Sequence, residues 1–223
     1  MKKLFRGGLV VSGREVRQAD VLLDGQHVSA VGEHLSADGG EIIDCRGMLL
    51  FPGFIDGHTH FDLPVAGTVT ADDFATGSRA ALRGGTTMVV DFSAPDNGET
   101  LRHGLDLWRE KAAGKAACDY GFHMTIDDWN EGISREIGEM AAEGIPTFKM
   151  YMTYPAMMIP EGDMYKALLR LKEVGGIAGV HCENSGIIDV LIAQAKAELC
   201  KNLRNICFNL DIFSILISNF CIR

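Results

Sequence analysis

The sequence predicts an α/β protein in which a small β module precedes about five βα units. Two observations carry this. The first fifty residues hold short apolar or β-branched bursts punctuated by Gly-containing turns. From Leu49 onward such bursts recur at a nearly constant spacing, with segments of helical character between them. That is the rhythm of parallel βαβ units.

In the β module, placed at residues 1–48, Leu9–Val11, Val21–Leu23, Val28–Val31 and Glu41–Ile43 read as strands. Gly13, Asp24-Gly25 and Gly39-Gly40 supply the turns, since glycine and aspartate tolerate the backbone angles turns need. The module reads as half of a β-sandwich. Residues 49–198 then carry strands at Leu49–Ile55, Thr86–Phe92, Cys118–Ile126, Thr147–Tyr154 and Ile177–Cys182. Markers at Ile55, Val89, Gly121, Lys149 and Val180 are 34, 32, 28 and 31 residues apart. The intervening helices are expected from Asp72 as a cap through Phe74, Ser78, Ala81 and Leu82 to Gly84-Gly85, then over Leu101–Ala113, Ser134–Glu143, Met164–Glu173 and Ser185–Ala197. An eight-unit barrel takes roughly 250 residues, so five units make a partial (β/α)8 barrel with three strands missing. A doubly wound open sheet is the alternative, but no G-x-G-x-x-G loop follows any strand.

Residues 199–223 differ in composition. They hold five Ile, four Asn, three Phe and three Cys but no Gly, Ala or Pro. The run Ile212–Ile217 is uncharged and strongly β-prone, an aggregation hazard if exposed. The expectation is an aberrant tail, produced by a frameshift or by read-through into unrelated sequence; a terminal amphipathic helix is the alternative.

Charge excludes one class of partner. Lys and Arg number 21 against 30 Asp and Glu, a net charge of −9, which lacks the basic footprint of a nucleic-acid binder. Lys2 and Lys3 open the chain, but Arg6, Gly7 and Gly8 interrupt the apolar run a signal peptide would need. No stretch is long and apolar enough to span a bilayer. The six cysteines form no Cys-x-x-Cys pair, so reduced thiols in the cytoplasm are expected rather than a disulfide framework or a cysteine zinc site.

The residues that carry chemistry stand at strand ends. In Asp56-Gly57-His58-Thr59-His60 the two histidines are two apart, so an extended chain projects them to one side. That end of a strand is where barrel enzymes place catalytic groups, and paired imidazoles suit zinc and similar ions. Two loop histidines would be the plain alternative. Lys149 lies among Phe148, Met150, Tyr151 and Met152 in the fourth strand. A lysine in a core strand must lose its charge or find a partner. It can capture carbon dioxide as a carbamate that bridges two ions, or snorkel to the rim. His181 follows the fifth strand, as a further ligand or as a structural residue. His, His, Lys and His from three strand ends suit two divalent ions, which acidify water and polarise a carbonyl.

These residues sit in longer motifs. Phe51-Pro52-Gly53-Phe54-Ile55-Asp56-Gly57-His58-Thr59-His60-Phe61 resembles the opening signature of the amidohydrolase superfamily. Gly84–Met88, Phe148–Tyr154 and Val180–Asn184 are similar to its dihydropyrimidinase/hydantoinase branch, and the resemblance runs from about Leu4 to Glu198. It implies an amidohydrolase barrel that hydrolyses the cyclic amide bond of dihydropyrimidines or hydantoins, opening the ring to N-carbamoyl amino acids. It also implies two divalent metal ions, zinc by convention, with His58 and His60 on one, His181 on the other and N6-carboxylated Lys149 bridging them. Tyr154 would stabilise the oxyanion; read without the resemblance it is a rim aromatic. The loops at 62–70 and 155–160 would border a small cyclic ureide or amide, with Met157, Met158 and Ile159 offering apolar surface. The full-length family is expected as a homotetramer.

The departures are equally specific. No histidine follows His181, and the later acids Glu183, Asp189, Glu198 and Asp211 do not match the family's remaining metal histidine and catalytic aspartate. The expectation is therefore a truncated chain without useful turnover by itself. Alternatives are an allantoinase- or dihydroorotase-like enzyme, which the Lys149–Tyr154 spacing disfavours, and a non-catalytic scaffold or fragment.

Overall fold

The structure, a computed structural model, describes residues 1–65, 67–199 and 221–222. Two compact units are formed by Met1–Phe54 and Ile55–Arg223.

In the first unit, β1 (Lys2–Val11) lies between β2 (Val16–Asp24) and β4 (Glu41–Asp44), with β3 (His27–Gly32) outside β2 and β5 (Leu49–Leu50) also on β1. β1 runs antiparallel to β2 and parallel to β4 and β5. Its strand starts well before the expected Leu9. A register shift between Phe5 and Gly8 hides the alternation that would have shown this. Gly7 takes φ +71° at the shift, and its N–H donates to the buried Asp20 carboxylate at 2.8 Å.

The second unit is built on a curled sheet in the order β6 (Phe54–Thr59), β9 (Thr86–Ser93), β10 (Asp119–Thr125), β11 (Thr147–Tyr151), β12 (Ile177–His181) and β13 (Cys221–Ile222). β9 through β12 pair in parallel, and β13 pairs antiparallel to β12. A hairpin of β7 (Pro64–Val65) and β8 (Thr68–Val69) occupies the segment expected as a loop. The helices are α1 (Phe74–Arg83), α2 (Leu101–Ala112), α3 (Glu131–Ala142), α4 (Glu161–Val174) and α5 (Ser185–Leu199). Five strands with helices between them form the partial barrel the spacing predicts. Of the expected aberrant tail, only Leu199 and Cys221–Ile222 are among the described residues; the rest lies outside them.

Strand alternation decides which residues face the site. Phe148 and Met150 of β11 bury themselves with Met124 of β10 and Ile126 just after it, Ile133, Ile137 and Met140 of α3, and Met164, Ala167 and Leu171 of α4. Each of these side chains larger than alanine contributes about 1.5–3 kcal/mol on burial. Lys149 and Tyr151, being odd-numbered, are thereby turned to the inner face.

Several boundaries differ from the sequence expectation for local reasons. α1 is capped by Asp73, which accepts from the Ala75 and Thr76 N–H groups, while Thr76 Oγ1 accepts from the Asp73 N–H. Asp72 is not the cap, because its carbonyl accepts from Asp62 N–H at 2.9 Å and holds it in the loop. α3 begins three residues early, where Asn130 accepts from Ile133 N–H at 3.0 Å. α4 begins directly after Pro160 with Glu161 and Asp163 in its first turn, the favourable end of the helix dipole for acids. β11 stops at Tyr151 instead of Tyr154, since Ile159 N–H returns to the Tyr151 carbonyl and the chain turns.

Candidate functional site

The end of β6 delivers His58 and, one residue beyond the strand, His60 to the same side, their Nε2 atoms 3.2 Å apart and their rings edge-on. Two nitrogens each bound about 2.1 Å from one tetrahedral ion lie about 3.4 Å apart. The pair thus has the spacing of one edge of a metal site. Burial lowers both imidazole pKa values, and the Lys149 charge lowers them further; for His58 the neighbouring His60 adds to this, and for His60 the Asp91 carboxylate opposes it. Neutral imidazole is the form that binds metal. His60 Nδ1, the ring's other nitrogen, has no hydrogen-bond partner among the described residues; it is not the atom that faces this edge, and a bound water would satisfy it.

Phe92 of β9 organises the first cluster. Its ring centroid lies 4.6 Å from His58, 5.0 Å from His60 and 4.7 Å from His123. Lys149 Nζ stands 6.0 Å from that same ring and 5.3 Å from the ring of Tyr151. Tyr151 opens the second cluster: it stacks on His181 at 5.7 Å and approaches Tyr154 at 6.1 Å, while Tyr154 and His181 are 5.2 Å apart. Burial raises the Tyr151 phenol to about 12, so it stays protonated. Lys149 therefore stands between a His58–His60 group and a His181–Tyr154 group.

Tyr154 has φ +65°, in the left-handed region that non-glycine residues seldom occupy. The conformation lets its carbonyl accept from both Met157 and Met158 N–H, at 2.7 and 2.9 Å, and leaves the side chain exposed. Strain of this kind concentrates at functional turns.

The structure brings together His58, His60 and Lys149 around Phe92, and His181 and Tyr154 around Tyr151. It does not place all ligand candidates on one point. Among the described residues no three His, Cys, Asp or Glu side chains form a metal-holding group, and His181 Nε2 lies 3.0 Å from Glu183. The donor set fits one ion at the His58–His60 edge with Lys149 as the neighbouring group. For a second ion it offers the single imidazole of His181.

Sequence reasoning missed two residues. His123, on β10, contacts the Gly57 carbonyl through Nε2 at 2.9 Å and Thr147 Oγ1 through Nδ1 at 2.6 Å. Because a carbonyl only accepts, Nε2–H donates to Gly57. Asp91, on β9, is fully buried and accepts from Thr59 Oγ1, Phe61 N–H and Trp108 Nε1–H at 2.9, 2.8 and 2.9 Å. Each is a polar residue inside an apolar strand, and that mismatch is the signal that could have found them.

Comparison with known proteins now adds to this geometry. The model of the amidohydrolase family matches residues 49–206. The chain belongs to the amidohydrolase family. It is 40% identical over 197 residues to a D-hydantoinase of Geobacillus stearothermophilus, a match covering 87% of this chain and 42% of that protein. It is also 40% identical to a dihydropyrimidinase of Rattus norvegicus, covering 83% of this chain and 37% of the relative. This amidohydrolase chain thus spans about two-fifths of the length of the curated relatives it matches. Among solved structures, a dihydropyrimidinase from Brevibacillus agri superposes with TM-score 0.86 at 46% identity, covering 89% of this chain and 43% of that one. A dihydroorotase structure at 17% identity and TM-score 0.56 shares the fold alone.

Proposed function

We propose that this amidohydrolase acts in metal-dependent hydrolysis of the cyclic amide bond of dihydropyrimidines or hydantoins, giving N-carbamoyl amino acids. The observation that carries the reading is the His58–His60 pair gathered with Lys149 around Phe92. It occurs in a chain about 40% identical to proteins named D-hydantoinase and dihydropyrimidinase.

His58 and His60 would hold one divalent ion, His181 a second, and Lys149 would join them after its neutral amine has added carbon dioxide and released a proton. Bound divalent ions, zinc being the expected metal, acidify water and polarise the scissile carbonyl. The protein's own part is orientation and charge placement. Tyr154 would donate its hydroxyl hydrogen bond to the carbonyl oxygen as negative charge develops there, a large catalytic term when the donor is held in advance. The turn that sets the Tyr154 backbone at positive φ would aim its side chain for that role. Met157 and Met158 would give the ring an apolar wall. A homotetramer in the cytoplasm is the proposed setting of the full-length protein, in keeping with an acidic chain in which no described helix is long and apolar enough to cross a membrane.

Metal content and native mass of the purified chain test the reading. Metal retained by the unsubstituted chain and lost in His60→Ala, with the added mass of one carbon dioxide that disappears in Lys149→Ala, is the expected result. Metal content indifferent to His60→Ala would overturn it. A panel of dihydrouracil, a 5-substituted hydantoin, allantoin and dihydroorotate then separates this branch from its sisters: turnover confined to the last two sinks the assignment.

A further inference from the structure

One buried carboxylate grips the histidine strand from behind. Asp91 projects from β9 to the face opposite its neighbour Phe92, whose ring touches both histidines. Its Oδ2 accepts from Thr59 Oγ1 and from Phe61 N–H. These donors belong to the residues immediately before and after His60. Alternation along β6 turns Thr59 away from the rings and His60 toward them, so a single oxygen atom pins the chain on both sides of the histidine. The other oxygen, Oδ1, accepts from Trp108 Nε1–H, and Trp108 is itself 2% exposed on α2. Lys111 Nζ lies 4.0 Å over the indole and donates to the Asp62 carbonyl at 2.7 Å, tying α2 to the residues just past the histidines. With both oxygens engaged the carboxylate cannot rotate without breaking a bond. Asparagine, with the same outline, would turn an N–H2 toward one of these donors.

We propose that Asp91 is the positioning residue of the His58–His60 pair, setting the two imidazoles at the separation one ion requires. This rests on the function proposed above for the metal-binding role, while the ring geometry itself exists without metal. Outer groups of this kind, acting through the ligands, typically change metal affinity by about tenfold to a hundredfold.

The matched control is Glu136, a buried carboxylate that accepts from Leu101 N–H at 2.7 Å at the start of α2. Asp91→Asn and Glu136→Gln both weaken a buried carboxylate contact, so any general loss of stability falls on both. Two readouts are compared in the full 223-residue chain: imidazole 15N resonances of His58 and His60 without metal, and cobalt(II) affinity against a competing chelator. Asp91→Asn is expected to move the His60 ring resonances and weaken cobalt binding at least about tenfold, with Glu136→Gln leaving both unchanged. Thr59→Val, which removes one donor and keeps the carboxylate, is expected to act in the same direction with smaller size, and carries the test if Asp91→Asn does not fold. Unmoved ring resonances in Asp91→Asn and Thr59→Val, or equal effects in Glu136→Gln, overturn the proposal. If the unsubstituted chain takes up no cobalt, the proposed function fails, and the metal-free resonances still decide the role of Asp91.

Discussion

Replacing Asp127 by asparagine is expected to stabilise the protein near neutral pH and to leave it unaltered in mild acid. Asp127 follows β10, is 3% exposed, and has an Oδ1 atom with no hydrogen-bond partner among the described residues. Burial, aided by the charges of Asp128, Asp96 and Glu99, pushes its carboxyl from 3.8 up to about 6. The folded state thus holds its proton more tightly than the unfolded state. Stability from this group is full below about pH 4, falls as pH rises toward 6, and is level above that. At about 1.4 kcal/mol per tenfold change in proton affinity the loss amounts to about 3 kcal/mol at pH 7 as an upper limit. Asp96 and Glu99 are exposed, and solvent screening of their charges reduces this to about 1–2 kcal/mol. Asparagine cannot ionise and so lacks the slope. Urea unfolding of both proteins between pH 4 and 7.5, followed by tryptophan fluorescence, measures it. The expected result is a gap between the two proteins that widens by about 1–2 kcal/mol from pH 4 to 6.5. Parallel stability curves would refute the reasoning.

Two further substitutions test how the site is held. Gly77→Ala in α1 would ordinarily gain about 1 kcal/mol of helix propensity. Here the new Cβ would come 2.3 Å from Phe61 Cε1 and 2.5 Å from its Cζ. Overpacking of that kind costs about 1–3 kcal/mol, so the thermal midpoint is expected to fall, and a rise would show that Phe61 moves freely. His123→Ala removes contacts to Gly57 and Thr147 and is expected to lower the urea-derived stability by about 1–3 kcal/mol; a loss under about 0.5 kcal/mol would mean that water replaces both contacts.

Most strands of the second unit were legible as apolar bursts whose spacing set the βα rhythm; the one expected at Leu49–Ile55 is instead split, Leu49–Leu50 pairing with β1 and the barrel strand running over Phe54–Thr59. Helix ends were less so. Asp72 and Asp73 are chemically equal as caps, and only the bond from Asp62 N–H to the Asp72 carbonyl separates them. The early starts of α3 and α4 depend on Asn130 and Pro160, and the first helical residues, Glu131-Gly132 and Glu161-Gly162-Asp163, carry no apolar period. The β7–β8 hairpin is two residues a side, too short to show alternation. At the site, His58, His60 and Lys149 could be read from one local motif or one misplaced charge. Asp91 and His123 stand out in sequence only as polar residues in apolar strands; what they hold could not be read, since their partners lie 30 and 66 residues away.

The amino-acid order alone determined which residues share a face of a strand, because period-two alternation is a local property of an extended chain. It also determined the family motifs and the chemical types of the donors. Tertiary structure decided their mutual geometry: the 3.2 Å separation of two imidazoles, the place of Lys149 between two aromatic clusters, and the grip of Asp91 behind the strand. Those distances arise from pairing between strands far apart in sequence. They depend on the register and curl of the whole sheet, which no short stretch of sequence encodes.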